Sequence, residues 1–172
     1  TDNVIMRATD AMLSMPAMLI AIAIVGALGA SLRNVIIVIA LTTWASYARI
    51  VRGETLRIKE SDFVRLAVVA GCGRLKILFV HILPNVVNTL IVLSTLSVGS
   101  VIIYESSLSF LGLGVPLGTP SWGSMLADGR QYLTSAWWLA VFPGLAIMLT
   151  CLACNLMGDW LRDRLDPQRQ RQ

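Results

Sequence analysis

Four stretches of this chain are apolar over close to 20 residues each, at residues 11–28, 34–50, 85–103 and 137–156. A helix rises about 1.5 Å per residue, so roughly 20 residues cross about 30 Å of hydrocarbon. Backbone N–H and C=O groups in lipid find no water and must be satisfied within the segment, so stretches of this kind have to be helices. The expected fold class is an all-α membrane protein with four transmembrane helices. Composition agrees, since 56% of the residues are hydrophobic and only 14% are charged, where an ordinary soluble domain carries about 25%.

The net charge is +4, but the placement of the charges says more than their sum. Eleven of the 14 Lys and Arg fall between Arg49 and Lys76 or between Arg162 and Arg171. Cytoplasmic loops of membrane proteins collect positive charge in this way. The orientation that follows puts the chain start, the loop over about 51–81 and the tail from Asp159 in the cytoplasm. It puts 29–33 and the loop over about 105–136 outside. Arg33 and Arg130 are the two exceptions. Basic clusters flanked by such apolar stretches argue against a nucleic-acid partner.

Three cysteines make a disulfide framework an unsuitable reading, and Cys151 with Cys154 reads as two small side chains on one helix face. No second CxxC or nearby His completes a metal site. Pro16 and Pro143 predict kinks in the first and last stretches. Gly29 to Arg33 leaves room only for a tight turn, so the first two spans are expected as antiparallel neighbours. Asp10 is placed to pair with Arg7 one turn away, and Arg162, Asp163, Arg164 and Asp166 read as a solvated helix end.

The outer segment 105–136 contains repeated Gly and Pro, so it has to turn several times before a short helix near Ser124 to Tyr132. Trp122, Trp137 and Trp138 suit the membrane interface. Two arrangements stay open for this segment, an interfacial loop and one folded back into the mouth of a pore. Glu105 likewise reads either as a residue of the transport path or as an interfacial carboxylate in water.

The loop between the second and third stretches spends about thirty residues where a few would turn the chain. Tyr47 to Lys59 continues the second span as a basic helix. Glu60, Ser61 and Asp62 then offer N-caps, and Gly71 and Gly73 offer a stop. The spacing predicts a helix of about ten residues, Asp62 to Ala70. Phe63, Ala67 and Ala70 share one face, with Leu66 alongside. A helix this short needs packing to persist in water, and a groove on a partner protein would supply it.

The run from Arg65 through Ala67 and Gly71 to His81-Ile82-Leu83-Pro84-Asn85 resembles the EAA loop of ABC importer permeases, with Arg65 and Leu66 departing from the family's Glu and first Ala. Further landmarks follow in order: Tyr47-Ala48-Arg49 with Val51-Arg52, Ser109 to Gly114, Pro120 to Gly123, Phe142-Pro143-Gly144, Asn155 to Asp163, and Leu165-Asp166-Pro167. They resemble the C-type permeases of dipeptide, oligopeptide and nickel importers, across nearly the whole chain. The chain starts at Thr1 with no cleavable signal pattern and is expected to be about the last three-fifths of a six-span subunit.

The resemblance implies a permease of the bacterial inner membrane. Its expected partners are a homologous permease subunit, two cytoplasmic ATPases and an extracytoplasmic substrate-binding protein. It implies that Asp62, Phe63, Arg65, Leu66, Ala67, Ala70 and Gly71 form the helix that couples to the ATPase, and that His81, Ile82, Leu83 and Pro84 join the loop to the third span. No Walker pattern is present, so ATP is expected to be used by partner subunits, and no catalytic residue, cofactor or metal is expected on this chain. Peptide is the expected cargo, with nickel or another small solute as the alternative. An ATP-independent channel or secondary transporter is the rival of another class; it needs no loop helix and usually carries paired intramembrane acids or bases.

Overall fold

The structure is a computed structural model that describes residues 2–116 and 118–165. The basic residues Arg169 and Arg171 and the Asp166-Pro167 landmark lie outside the described residues. Among the described residues eight α-helices follow in order: α1 (Asp2–Leu13), α2 (Ala17–Leu28), α3 (Leu32–Lys59), α4 (Asp62–Val69), α5 (Arg74–Lys76), α6 (Leu83–Phe110), α7 (Trp122–Gly129) and α8 (Trp138–Leu165). A π-helical segment, Ile77–Ile82, joins α5 to α6, and a 3-10 turn, Arg130–Tyr132, follows α7. Three of these helical stretches are long and apolar enough to cross a membrane, and α1 with α2 makes a fourth if that bent pair is one span.

The first stretch departs most from expectation. Pro16 does more than kink it: α1 and α2 meet at 84°, so residues 11–13 belong to α1 and leave the line of α2. Pro16 has no N–H to donate, and its φ of −61° and ψ of 117° set an extended residue between the helices. The 12 residues of α2 span about 18 Å, less than the thickness of hydrocarbon. α1 is held by charge. Arg52 forks onto both carboxylate oxygens of Asp2 at 2.9 Å, and Arg49 reaches Asp10 at 2.6 Å. Asp10 therefore pairs across helices with Arg49 rather than along its own helix with Arg7.

The hairpin between α2 and α3 is as tight as expected. Gly29 adopts φ 89°, where a side chain would strain, and Ser31 caps α3 by accepting from the Asn34 backbone N–H at 3.1 Å. The Asn34 side chain turns back and donates to the carbonyls of Leu28 and Gly29, closing the end of α2. Ala21 and Val25 of α2 then meet Val35 and Val38 of α3 and Leu108 of α6 in the tightest buried cluster.

The other interfaces rely on small residues and buried polar pairs, as lipid-solvated helices require. Gly99 of α6 lies against Cys151 and Asn155 of α8, and the Cys151 thiol donates to the Gly99 carbonyl at 3.4 Å. Cys72, Cys151 and Cys154 are all free thiols. Pro143 lies inside α8, which continues through it as one helix. The helical run that ends in α6 begins well before the stretch that apolarity marks out: α5, the π segment and α6 together make 37 residues, Arg74–Phe110.

The segment after α6 folds back onto α6 and α8. Ser121 and Ser124 form a reciprocal capping box at the start of α7. A Cβ added at Gly123 would clash with the Ser106 carbonyl oxygen, and one at Gly129 would come within 2.8 Å of the Leu139 carbonyl carbon in α8. Gly123→Ala should therefore push α7 off α6 and lower stability by about 1–3 kcal/mol, the usual range for overpacking. Gly53→Ala, with open space at its Cβ, serves as the control. Thermal unfolding of the two variants in detergent checks this; equal midpoints would mean that α7 is not seated by close backbone contact.

Candidate coupling site

The stretch from Lys59 to Arg74 contains the residues expected from the sequence to form the coupling helix. α3 runs on to Lys59 as a basic helix, the chain turns at Glu60 and Ser61, and α4 lies between two turns at the foot of α3 and α6. Ser61 occupies the N-cap position, although its hydroxyl donates back to the Ile58 carbonyl at 2.5 Å and caps no α4 amide. Its own carbonyl starts α4 by accepting from Val64 and Arg65. Asp62 places negative charge at the first turn, where the helix dipole favours it.

The far end is a complete Schellman motif. The Gly71 N–H bonds the Val68 carbonyl at 3.0 Å, the Cys72 N–H bonds the Ala67 carbonyl at 3.0 Å, and Gly71 takes φ 78°. The expected ten-residue helix is thus eight residues long, with Ala70 as C-cap. Gly71 ends it by adopting a left-handed conformation that costs other residues about 1–2 kcal/mol.

The two faces of α4 differ from the expected assignment. Ala67 is 9% exposed and Val64 2%, so both turn inward. Val64 joins Ile58 at the end of α3 with Ile82 and Val86 on the opposing helix in a buried cluster, with Val51, Ile77 and Leu90 around it. Ala67 therefore belongs to the root of the helix and not to its free surface. Phe63, Leu66 and Val69 face outward, at 47%, 68% and 85% exposed. Arg65 and Ala70 are exposed as well, and Arg65 pairs with no acidic group among the described residues.

His81, Ile82, Leu83 and Pro84 join this root to α6. Pro84 stands in the first turn of α6 and supplies no N–H. Upstream of it the backbone widens to a π-helix, with the Leu83 N–H reaching the Leu78 carbonyl. The Asn85 side chain donates to the His81 carbonyl at 2.7 Å. The His81 ring lies 6.4 Å from the Phe63 ring, tilted by 51°, so the loop-to-span motif touches α4 directly. Ile82 is the buried member of the four; Leu83 and Pro84 are exposed.

Several landmark residues turn out to be interhelical ties. Tyr47 and Ser97 join α3 to α6 through hydroxyls 2.5 Å apart, while Arg49 and Arg52 bind α1. Gly158 packs against Leu96, and Gly123 against Ser106. Glu105 stands apart, near the opposite end of α6 from α4. Its carboxylate accepts from Ser109 Oγ at 2.6 Å.

Over residues 1–171 the chain matches the family model described as binding-protein-dependent transport system inner membrane component. The chain belongs to this family. It is 48% identical over 164 residues to the di/tripeptide transport system permease protein DppC of Pseudomonas aeruginosa (strain UCBPP-PA14), covering 95% of this chain and 54% of that protein. It is 47% identical over 167 residues to the glutathione transport system permease protein GsiD of Shigella flexneri serotype 5b (strain 8401), covering 97% of this chain and 55% of the relative. The same figures hold for GsiD of Escherichia coli O157:H7. The chain thus spans about half the length of these curated relatives. With its long apolar helices, this family membership makes it a multi-pass component of the inner membrane. The family is one of transport components and not of enzymes.

Sequence reasoning missed Ile58, Val64 and Val86, the residues that hold α4 in place. The alternation of buried and exposed positions in α4 is visible only once its neighbours are known. Val64→Asp should unseat α4 and speed amide hydrogen exchange over residues 62–72, while exchange over 35–45 stays as in the wild type. Leu66→Asp, on the outward side, should leave both regions unchanged. Equal exchange at 62–72 in both variants would disprove the inward anchoring through Val64.

Proposed function

We propose that the chain is the membrane-spanning permease part of an ATP-driven importer of short peptides, and that α4 receives the mechanical stroke of a cytoplasmic ATPase. The observation that carries this reading is a helix of eight residues anchored by one buried side and bare on the other, in a chain of this family. A free helix of that length would melt in water. Its inner face is satisfied by Ile58, Ile82 and Val86, and its outer face leaves Phe63, Leu66 and Val69 exposed. A groove on an ATPase would cover that outer face by the helix-in-groove mode.

The proposed sidedness follows the charges. α4 and the end of α8 lie in the cytoplasm and α7 outside, by the positive-inside rule. Movement of the ATPase would turn α4 with its root, and Ile82 and Val86 would pass that displacement into α6 as rigid-body rocking. Asp62, Phe63, Arg65, Leu66 and Ala70 form the proposed contact surface, with Ala67 and Gly71 acting through the helix's seating and its end. His81, through the Phe63 ring, and Pro84, through the widened backbone, form the proposed hinge. Glu105 faces the proposed path.

The chain itself does no covalent chemistry in this scheme, and ATP is used by the partner ATPases. A homologous permease subunit would complete the path, and an extracytoplasmic binding protein would deliver cargo. Short peptides are the proposed cargo because relatives are named for di/tripeptide and glutathione transport.

The test uses the full-length subunit with its partners, carrying Leu66→Cys in a background without Cys72, Cys151 and Cys154. Leu66→Cys should crosslink to the ATPase with a yield that changes on nucleotide binding, and Leu66→Asp should lower ATP-driven peptide uptake by roughly tenfold or more, as loss of a central apolar anchor does. Absence of any crosslink along α4, with both proteins present, would favour the ATP-independent transporter.

A further inference from the structure

At the opposite end of α6 from α4, a cavity of about 520 Å³ opens between α6 and the α7 region, within the usual size of small-ligand sites. Val101, Ile102 and Glu105 line it from α6, and Pro120, Trp122 and Met125 from the segment folded back onto it. Ser106 and Ser121 complete the lining. The wall is apolar apart from these two serines and a single carboxylate.

That carboxylate is positioned and unpaired. Ser109, 5% exposed, donates its hydroxyl to Glu105 Oε1 at 2.6 Å, which fixes the side chain one helical turn away. No Lys, Arg or His forms an ion pair with Glu105 among the described residues. The nearby cation Arg130 is engaged elsewhere, with its guanidinium 5.6 Å from the centre of the Phe110 ring.

From this geometry we propose that the cavity receives the amino terminus of the transported peptide, with the ammonium on Glu105 and the first side chain against Trp122, Ile102 and Met125. The inference rests on the peptide-permease reading above and adds to it a site and an orientation. One carboxylate and two hydroxyls fall short of the roughly six to eight oxygens that a calcium ion takes. They suit the three donors of an ammonium. Ion pairing with a fixed carboxylate in an apolar wall gives a charge-assisted hydrogen bond. The exposed face of Trp122 adds attraction for a cation placed over it. An apolar ligand without positive charge would leave the carboxylate desolvated and unpaired, which costs binding energy.

The experiment uses the full-length subunit assembled with its partner permease, ATPases and binding protein in proteoliposomes. Radiolabelled tripeptides carry a photoreactive benzoylphenylalanine either at the first or at the third residue. During ATP-driven uptake the first-residue probe should label Trp122 or Met125, and the third-residue probe should not. Glu105→Gln keeps the shape and an acceptor for Ser109 but removes the charge, and it should lower that labelling by roughly tenfold or more. Met125→Lys, which plants a resident ammonium beside the carboxylate, should lower it in the same way.

Peptide uptake with labelling of other residues only, or with labelling of the cavity undiminished in both variants, overturns the assignment while leaving the importer reading intact. An assembled complex that takes up no peptide of any kind overturns both.

Discussion

A helix in hydrocarbon that gives up a backbone hydrogen bond has no water to restore it, so a long helix in lipid is a stiff rod. The unbroken run of 37 residues from Arg74 to Phe110 is the rod on which this molecule is built. Val64 of α4 packs with Ile82 and Val86 near its start. Tyr47 reaches Ser97 along its length, Cys151 donates to Gly99, and Gly123 of α7 sits on Ser106 near its end. At about 1.5 Å per residue it extends roughly 55 Å, more than the hydrocarbon needs. In the proposed coupling, a displacement imposed at α4 would reach the elements that touch this run.

The one irregularity in that rod lies where compliance is useful. The π-helical segment Ile77–Ile82 precedes Pro84, and the Asn85 side chain takes up the His81 carbonyl there. A widened turn of this kind keeps the backbone hydrogen-bonded while allowing a change of direction, and such turns are common at functional positions. The apolar root of α4 lies on this turn, and the proposed ATPase contact meets the proposed hinge where the Phe63 ring lies beside His81.

The two ends of the rod are built by different physics. At the α4 end, a basic helix and a short apolar-faced helix, held by aliphatic contact, present the proposed docking surface. At the α7 end, glycines at 123 and 129 allow backbone to meet backbone and leave a cavity whose one charge is fixed by Ser109. The ion pairs Asp2–Arg52 and Asp10–Arg49 are largely solvent-exposed. Solvent screens exposed pairs of this kind, so they orient α1 more than they stabilise it.

The apolar stretches, the cluster of positive charge, the Gly71 stop and the landmark residues were legible in the chain alone, because each depends on local composition or on the short-range geometry of its own segment. The helical extensions at Tyr47–Lys59 and the short helix after Ser61 follow from the same kind of signal. What only the tertiary structure decided was which side of each helix meets protein. Ala67 and Phe63 sit on neighbouring positions of one wheel, yet Ala67 is buried because Val64 beside it meets Ile58 and Ile82, residues 6 and 18 positions away in the chain. α4 carries apolar residues on both sides, Val64 and Ala67 buried and Leu66 and Val69 exposed, so its hydrophobic pattern alone does not separate inside from outside. The right-angle break at Pro16 and the cross-helix partners of Asp2 and Asp10 were hidden for the same reason: they are set by neighbours that composition does not mark.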